Sequence, residues 1–444
     1  MTDTLMFSVV KIAGSVALLG LVLWGVSRLA RMAKLDPELS RKLIHIGLGL
    51  YCLSFPFVFQ HTWEVVVTCA LAVAMFMLAR GMMRDSLGAG LHGVKRQSYG
   101  ELLFAVSVAL LFWLKDGHYI ALVNGRQPMV GAALYIVPIL ILTLCDAASA
   151  LVGSRYGRRL FRVEEGSKSV EGVVVFVVTA WLVSLMAFLL LTSVGRSEVI
   201  LLAFITAAFA ALLEAASWRG LDNLFIPLGL YFLLANLMHF GVPGLAIRAG
   251  IFFLALLAII WLTPRAKADR HAVAIGFTLF FCIAIFSGFE SILTPALAVA
   301  LYFACVQWLK VERPPHDNLN LLLVVLAVAL AFFLVSNFWK VDTIFAFNVA
   351  FAALAAGIVS RFTSQGLIVL GSIAVAWLAM TVRSVWIEGP REQTWVFAMV
   401  GLGGIIALSI AGSVLRERRI ERPWMMLGGL SAAIGLVSLP ASPT

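Results

Sequence analysis

The chain has 444 residues, of which 62% are hydrophobic and only 13% charged. Soluble domains run at about 45–50% apolar and about 25% charged, so a water-soluble globule and a disordered chain are both excluded. A net charge of +10 would point to nucleic acid in a soluble protein. In a membrane protein the same excess marks cytoplasmic loops, and no nucleic-acid partner is expected.

The apolar residues fall into stretches of helix-spanning length, about 17–25 residues for a bilayer core. The two-residue alternation of a transmembrane barrel is absent. The expected fold class is an all-α polytopic membrane protein with about sixteen transmembrane helices in two bundles of about eight. The candidate spans are 7–29, 43–60, 63–80, 98–114, 129–152, 171–194, 198–217 and 223–240 in the first half. They continue as 243–263, 271–288, 291–309, 319–337, 342–360, 365–383, 395–414 and 424–440. The first is too long for the apolar core of a signal peptide and reads as a helix that stays. Cys52, Cys69, Cys145, Cys282 and Cys305 all lie in apolar stretches without ligand spacing, which argues against a disulfide framework or a zinc site.

Sorting the 33 Lys and Arg by alternate connections places 25 on one side and 8 on the other. That bias sets the basic connections, and the span ends that flank them, toward the cytoplasm, with both termini expected to face outward. The expected location is the cytoplasmic (inner) membrane. The acids divide the chain differently. Residues 1–240 carry Glu38, Glu101, Asp146, Glu171, Glu214 and Asp222 at or just inside cytoplasmic span ends. From 241 to 444 every acid sits in a loop or at a span end. Charge near the membrane interior is costly and usually functional, so chemistry is expected in 1–240, with 241–444 as an accessory transmembrane domain.

Four groups of residues carry the signal. Arg41, Lys42 and His45 open the second span; Arg41 and His45, four apart, share a helix face, and Arg and Lys both bind phosphate. A positive-inside anchor is the plainer reading of Arg41 and Lys42. Ser98-Tyr99-Gly100-Glu101 opens the fourth span, where the helix dipole accounts for Glu101.

Asp146 lies near the end of the fifth span, followed by Ala150, Gly153 and Gly157 at i+4, i+7 and i+11. Such a small-residue stripe serves close helix packing, or the approach of a nucleotide to the backbone. The basic loop that follows ends in Gly166-Ser-Lys168-Ser169-Val-Glu171-Gly172. Ser169 is a candidate N-cap with Glu171 in the first turn, and helix N-termini are also anion sites. Lys and Ser opposite an intramembrane Asp suit phosphates with a divalent metal, since Mg²⁺ takes one or two carboxylates plus substrate phosphates. Glu214 ends the seventh span, and Asp222-Asn223-Leu-Phe-Ile-Pro227 begins the eighth, with Asp222 a candidate N-cap. No P-loop, dinucleotide fingerprint, protein-kinase catalytic loop or zincin motif occurs.

Glu38-x-x-Arg41-Lys42-x-x-His45, Asp146 with Gly153 and Gly157, Lys168-Ser169-x-Glu171-Gly172, and Glu214 followed by Asp222-Asn223-x-x-x-Pro227 resemble the CTP-dependent lipid-alcohol kinases. These are the phytol kinase and dolichol (polyprenol) kinase family, distantly related to phosphatidate cytidylyltransferases. The resemblance covers roughly residues 30–240. It implies transfer of the γ-phosphate of CTP to the hydroxyl of a membrane-dissolved isoprenoid alcohol such as phytol, dolichol or polyprenol.

The resemblance and the charges together assign expected roles. Asp146, Lys168, Glu171 and His45 would be catalytic. Arg41, Lys42, Gly153, Gly157, Ser169, Gly172 and Asn223 would bind nucleotide. Asp146, Asp222 and Glu214 would hold Mg²⁺, with one carboxylate accepting the alcohol proton. Alternatives at the same site are diacylglycerol phosphorylation and cytidylyl transfer to phosphatidate. A multi-span transporter is the alternative of another class, disfavoured because the ionisable residues hug one interface. Residues 241–444 would then form a lipid vestibule, a homo-oligomer surface or a second domain.

Overall fold

The computed structural model describes residues 2–35, 37–82, 100–115, 131–163, 166–217, 220–262, 270–287, 289–309, 317–339, 341–388, 394–418 and 423–439. Ser98 and Tyr99 lie outside them, as do several of the basic connections. The described residues are helical apart from one short hairpin, in keeping with the all-α expectation. Among the described residues seven helices are long and apolar enough to cross a membrane, and shorter apolar helices lie among them. The expected count of about sixteen spans is not confirmed by these helices. One reason is visible early. The candidate span 43–60 is two pieces, Pro37–Cys52 and the four-residue Phe55–Val58, with Pro56 in the first turn of the second.

The chain packs as two compact units, 1–274 and 275–444. The first unit runs α1 (Thr2–Met32), α2 (Pro37–Cys52), α3 (Phe55–Val58), α4 (Thr62–Met82) and α5 (Gly100–Leu114). The long α6 (Gly131–Tyr156) follows, then an antiparallel hairpin of β1 (Leu160–Val163) and β2 (Gly166–Ser169). The unit closes with α7 (Val170–Leu191), α8 (Arg196–Ala216), α9 (Asp222–Leu237) and α10 (Val242–Leu262). The polarity of the sequence divides the chain at 240, whereas packing carries α10 into the first unit. Phe204 and Phe209 of α8 meet Phe253 and Phe252 of α10 at ring-centroid distances of 5.4 and 6.3 Å.

α1 packs on α2 and α4. Their junction holds Glu64, a further acid of the first half. Glu64 is fully buried, pairs with Lys11 at 2.6 Å, accepts from the Ser8 hydroxyl and accepts the N–H groups of Gln60 and His61. Reaching back to the residue before the helix, it works as the acidic half of a capping box. Every oxygen is used, and the role is structural.

α6 is not a uniform helix. Pro138 removes one ladder donor, and residues Ile141–Cys145 then form a π-turn before α-helix resumes at Asp146. α2 lies against this region, and α7 and α9 pack on other faces of α6. α7 crosses the end of α6 closely. A Cβ on Gly172 would sit 3.0 Å from the Ser149 carbonyl and 3.3 Å from Gly153 Cα. One on Gly157 would sit 2.3 Å from the Gly153 carbonyl and 2.7 Å from Ser169 Cβ.

In the second unit, α14 (Ile344–Phe362) is the central helix. It is covered by α12 (Leu293–Leu309), α15 (Gly366–Glu388), α16 (Thr394–Glu417) and α17 (Pro423–Val437). Gly412 rests directly on the Gly357 carbonyl, and buried hydroxyl and amide pairs, Ser360 with Ser409 and Thr294 with Asn348, link the helices. Asp317, the first residue of α13 (Asp317–Trp339), is buried and accepts from Tyr302 Oη at 2.8 Å and Trp424 Nε1.

Candidate functional site

The site forms where helix ends of the first unit converge. Asp146 opens the last α-helical stretch of α6 and is buried. Glu214 lies in the final turn of α8, and Asp222 is the first residue of α9. One carboxylate oxygen from each of the three lies within 4.8 Å of the others. Three anions so close need cations. Lys42 of α2 places its Nζ 2.7 Å from Asp146 Oδ2. Lys168 of β2 places its Nζ 2.8 Å from Glu214 Oε1 and also donates to the Glu214 backbone carbonyl. Among the described residues Asp222 has no ion-pair partner.

His45 stands one turn after Lys42. Its Nε2 donates to the Leu142 carbonyl at 3.2 Å and lies 3.8 Å from Asp146 Oδ2. The ring also meets Phe104 edge-on at 5.7 Å. The sequence pairs His45 with Arg41 on one helix face, but it is Lys42 that shares its contact with Asp146, whereas Arg41 is exposed. A helix turns about 100° per residue, so steps of three and four both stay near one face, and the sequence alone does not choose between them.

Glu171 is not part of the cluster. Its carboxylate accepts the backbone N–H groups of Arg158 at 3.1 Å and Arg159 at 3.3 Å, tying the first turn of α7 to the start of the hairpin. Ser169 caps α7 by accepting the Gly172 N–H at 3.1 Å. Gly153, Gly157 and Gly172 let α6, Ser169 and α7 approach closely, which is the packing reading of the small-residue stripe. They act on the site by seating the hairpin that carries Lys168, which pairs with Phe161 across the two strands. Asp222 does not cap α9. Leu221 holds the cap position, and Asp222 and Asn223 begin the helix itself.

The donor set suits a hard divalent cation. All three groups offer carboxylate oxygen, the chemistry Mg²⁺ prefers. Glu214 Oε2 is buried and has no hydrogen-bond partner among the described residues. A buried acceptor left open is costly unless something else uses it.

The model of the cytidylyltransferase family matches residues 3–220, which contain every residue of the cluster except Asp222. The phytol kinase of Synechocystis sp. is 32% identical over 211 residues, 48% of this chain and 84% of that protein. No solved structure matches the chain. By the extent and identity of that match the chain belongs to the phytol kinase and dolichol kinase-like family.

Proposed function

We propose that the protein transfers the γ-phosphoryl group of CTP to the hydroxyl of an isoprenoid alcohol dissolved in the membrane. The observation that carries this reading is the triad Asp146, Glu214 and Asp222 with Lys42 and Lys168 seated on it. Phosphoryl transfer asks chiefly for positioning and charge neutralisation. A set of converging carboxylates with two ammonium groups supplies both.

Asp146 and Glu214 would hold Mg²⁺, which when bound would offset the charge of the nucleotide phosphates. Lys42 and Lys168 would pair with the same phosphates, and exposed Arg41 would receive the nucleotide from water. Asp222, the carboxylate without a lysine, accepts the proton of the alcohol. The alcohol oxygen then forms its bond to the γ-phosphorus as the bond from that phosphorus to the bridging oxygen breaks. CDP leaves, and the lipid becomes a phosphate monoester.

The description of the matching family keeps a second reaction open, cytidylyl transfer to a lipid phosphate. The products separate the two, since that reaction releases pyrophosphate and leaves a CDP-lipid. Product analysis of the purified protein with labelled CTP and a panel of alcohols tests the proposal. Labelled lipid monoester with CDP supports it, and pyrophosphate with CDP-lipid replaces it by the second reaction. We place the site on the cytoplasmic side, where the nucleotide is, from the distribution of basic residues.

A further inference from the structure

The π-turn of α6 lies immediately before Asp146, and one face of α2 runs along it. Lys42, His45 and Gly49, at i, i+3 and i+7, meet Asp146, the Leu142 carbonyl and Thr143 in turn. Thr143 is fully buried and fills the space of a side chain at 49: a Cβ there would lie 1.9 Å from Thr143 Oγ1 and 2.4 Å from Cγ2. The Thr143 hydroxyl has no hydrogen-bond partner among the described residues. Its place is set by the fit against Gly49.

A π-turn adds one residue to the helix and turns everything after it by about 100°. It persists only where the surroundings over-determine it. Whatever holds this turn therefore sets the direction in which Asp146 points. We propose that His45 and Gly49 are positioning residues that lock the π-turn and so aim Asp146 at Glu214 and Asp222. This rests on the reading of the triad as the reaction site. His45 acts through its donated hydrogen bond to Leu142. At 3.8 Å its Nε2 is beyond hydrogen-bond reach of Asp146.

The test uses the purified full-length chain in lipid nanodiscs. Hydrogen exchange of the peptide covering residues 141–147 reads the turn directly, independently of any reaction. Steady-state kinetics with a lipid alcohol read its consequence. The variants are His45→Ala, His45→Gln, Gly49→Ala and the double variant Gly49→Ala/Thr143→Gly. His45→Ala and Gly49→Ala are expected to speed exchange by about tenfold and lower kcat roughly tenfold to hundredfold, with KM for nucleotide within about twofold of wild type.

His45→Gln keeps an N–H donor without a titrating ring, and is expected to stay within about threefold of wild type in both readouts. Gly49→Ala/Thr143→Gly restores the space and is expected to recover both. Wild-type exchange in His45→Ala or Gly49→Ala would overturn the proposal. So would a His45→Gln variant that exchanges like wild type yet turns over as poorly as His45→Ala, since His45 would then be moving protons. If the wild-type chain phosphorylates no alcohol, the reading of the site fails, and the exchange arm still decides whether α2 locks the turn.

Discussion

Lys42 and Lys168 each neutralise one carboxylate, but their surroundings differ. The Lys42–Asp146 pair has side chains 7% and 12% exposed, against 26% and 13% for Lys168–Glu214. Removing one member of a buried pair leaves the other charge uncompensated and costs about 3–5 kcal/mol. Lys42→Met should therefore lower the unfolding temperature clearly and abolish turnover, while Lys168→Met should abolish turnover with a smaller loss of stability. Thermal unfolding beside activity in nanodiscs checks both. Asp222 gives the opposite prediction. It adds a third negative charge with no lysine on it, so Asp222→Asn relieves repulsion. That variant should lose at least about a hundredfold in kcat and unfold at a temperature equal to or above wild type. A large fall in unfolding temperature would show that Asp222 stabilises the fold instead.

Much at this scale is legible in the sequence. Carboxylates and lysines at the ends of apolar spans announce themselves because charge there is expensive. Which lysine meets which acid is not legible. Lys42 and Asp146 are 104 residues apart, and nothing local distinguishes Lys42 from its neighbour Arg41.

Among the elements, the junction of α6, the hairpin and α7 controls where Lys168 sits. Gly157→Ala would drive a Cβ into the Gly153 carbonyl at 2.3 Å and Ser169 Cβ at 2.7 Å, both parts of the backbone frame rather than flexible ends. Overpacking of this kind costs about 1–3 kcal/mol. The variant should unfold earlier and bind nucleotide more weakly, because Lys168 follows Ser169 out of place; isothermal titration with CTP would detect it. Unchanged affinity would detach the hairpin from the site.

The sequence shows the glycines and the Ser169 cap but not the π-turn or the hairpin. Residues 131–145 are apolar on all sides, so they carry no periodicity from which an inserted residue could be noticed. Only Pro138 hints that the ladder is interrupted. The contacts of Glu171 are illegible for a related reason. A first-turn acid is explained equally by the helix dipole, by a metal or by neighbouring N–H groups, and only the folded hairpin brings Arg158 and Arg159 to it.

For the molecule as a whole, the reaction is assigned to the first compact unit. The cluster and the family match over 3–220 both lie within that unit. A chain ending at 274, the unit boundary, should keep turnover within about tenfold of the full chain in nanodiscs. Complete loss in a folded fragment would assign the second unit a part in the reaction.

All-helical membrane character was legible from composition. The number of spans was not, because hydropathy measures what a segment could cross and not where prolines and packing break it, as at α2 and α3. Whether this site phosphorylates a lipid alcohol is read from the labelled product. Purified protein is given γ-labelled CTP, ATP, GTP or UTP with phytol, dolichol or a shorter polyprenol, and wild type is compared with Asp146→Asn. Labelled lipid monophosphate is expected from CTP in wild type and none from Asp146→Asn. Wild-type labelling by the variant, or release of pyrophosphate in place of CDP, would contradict it.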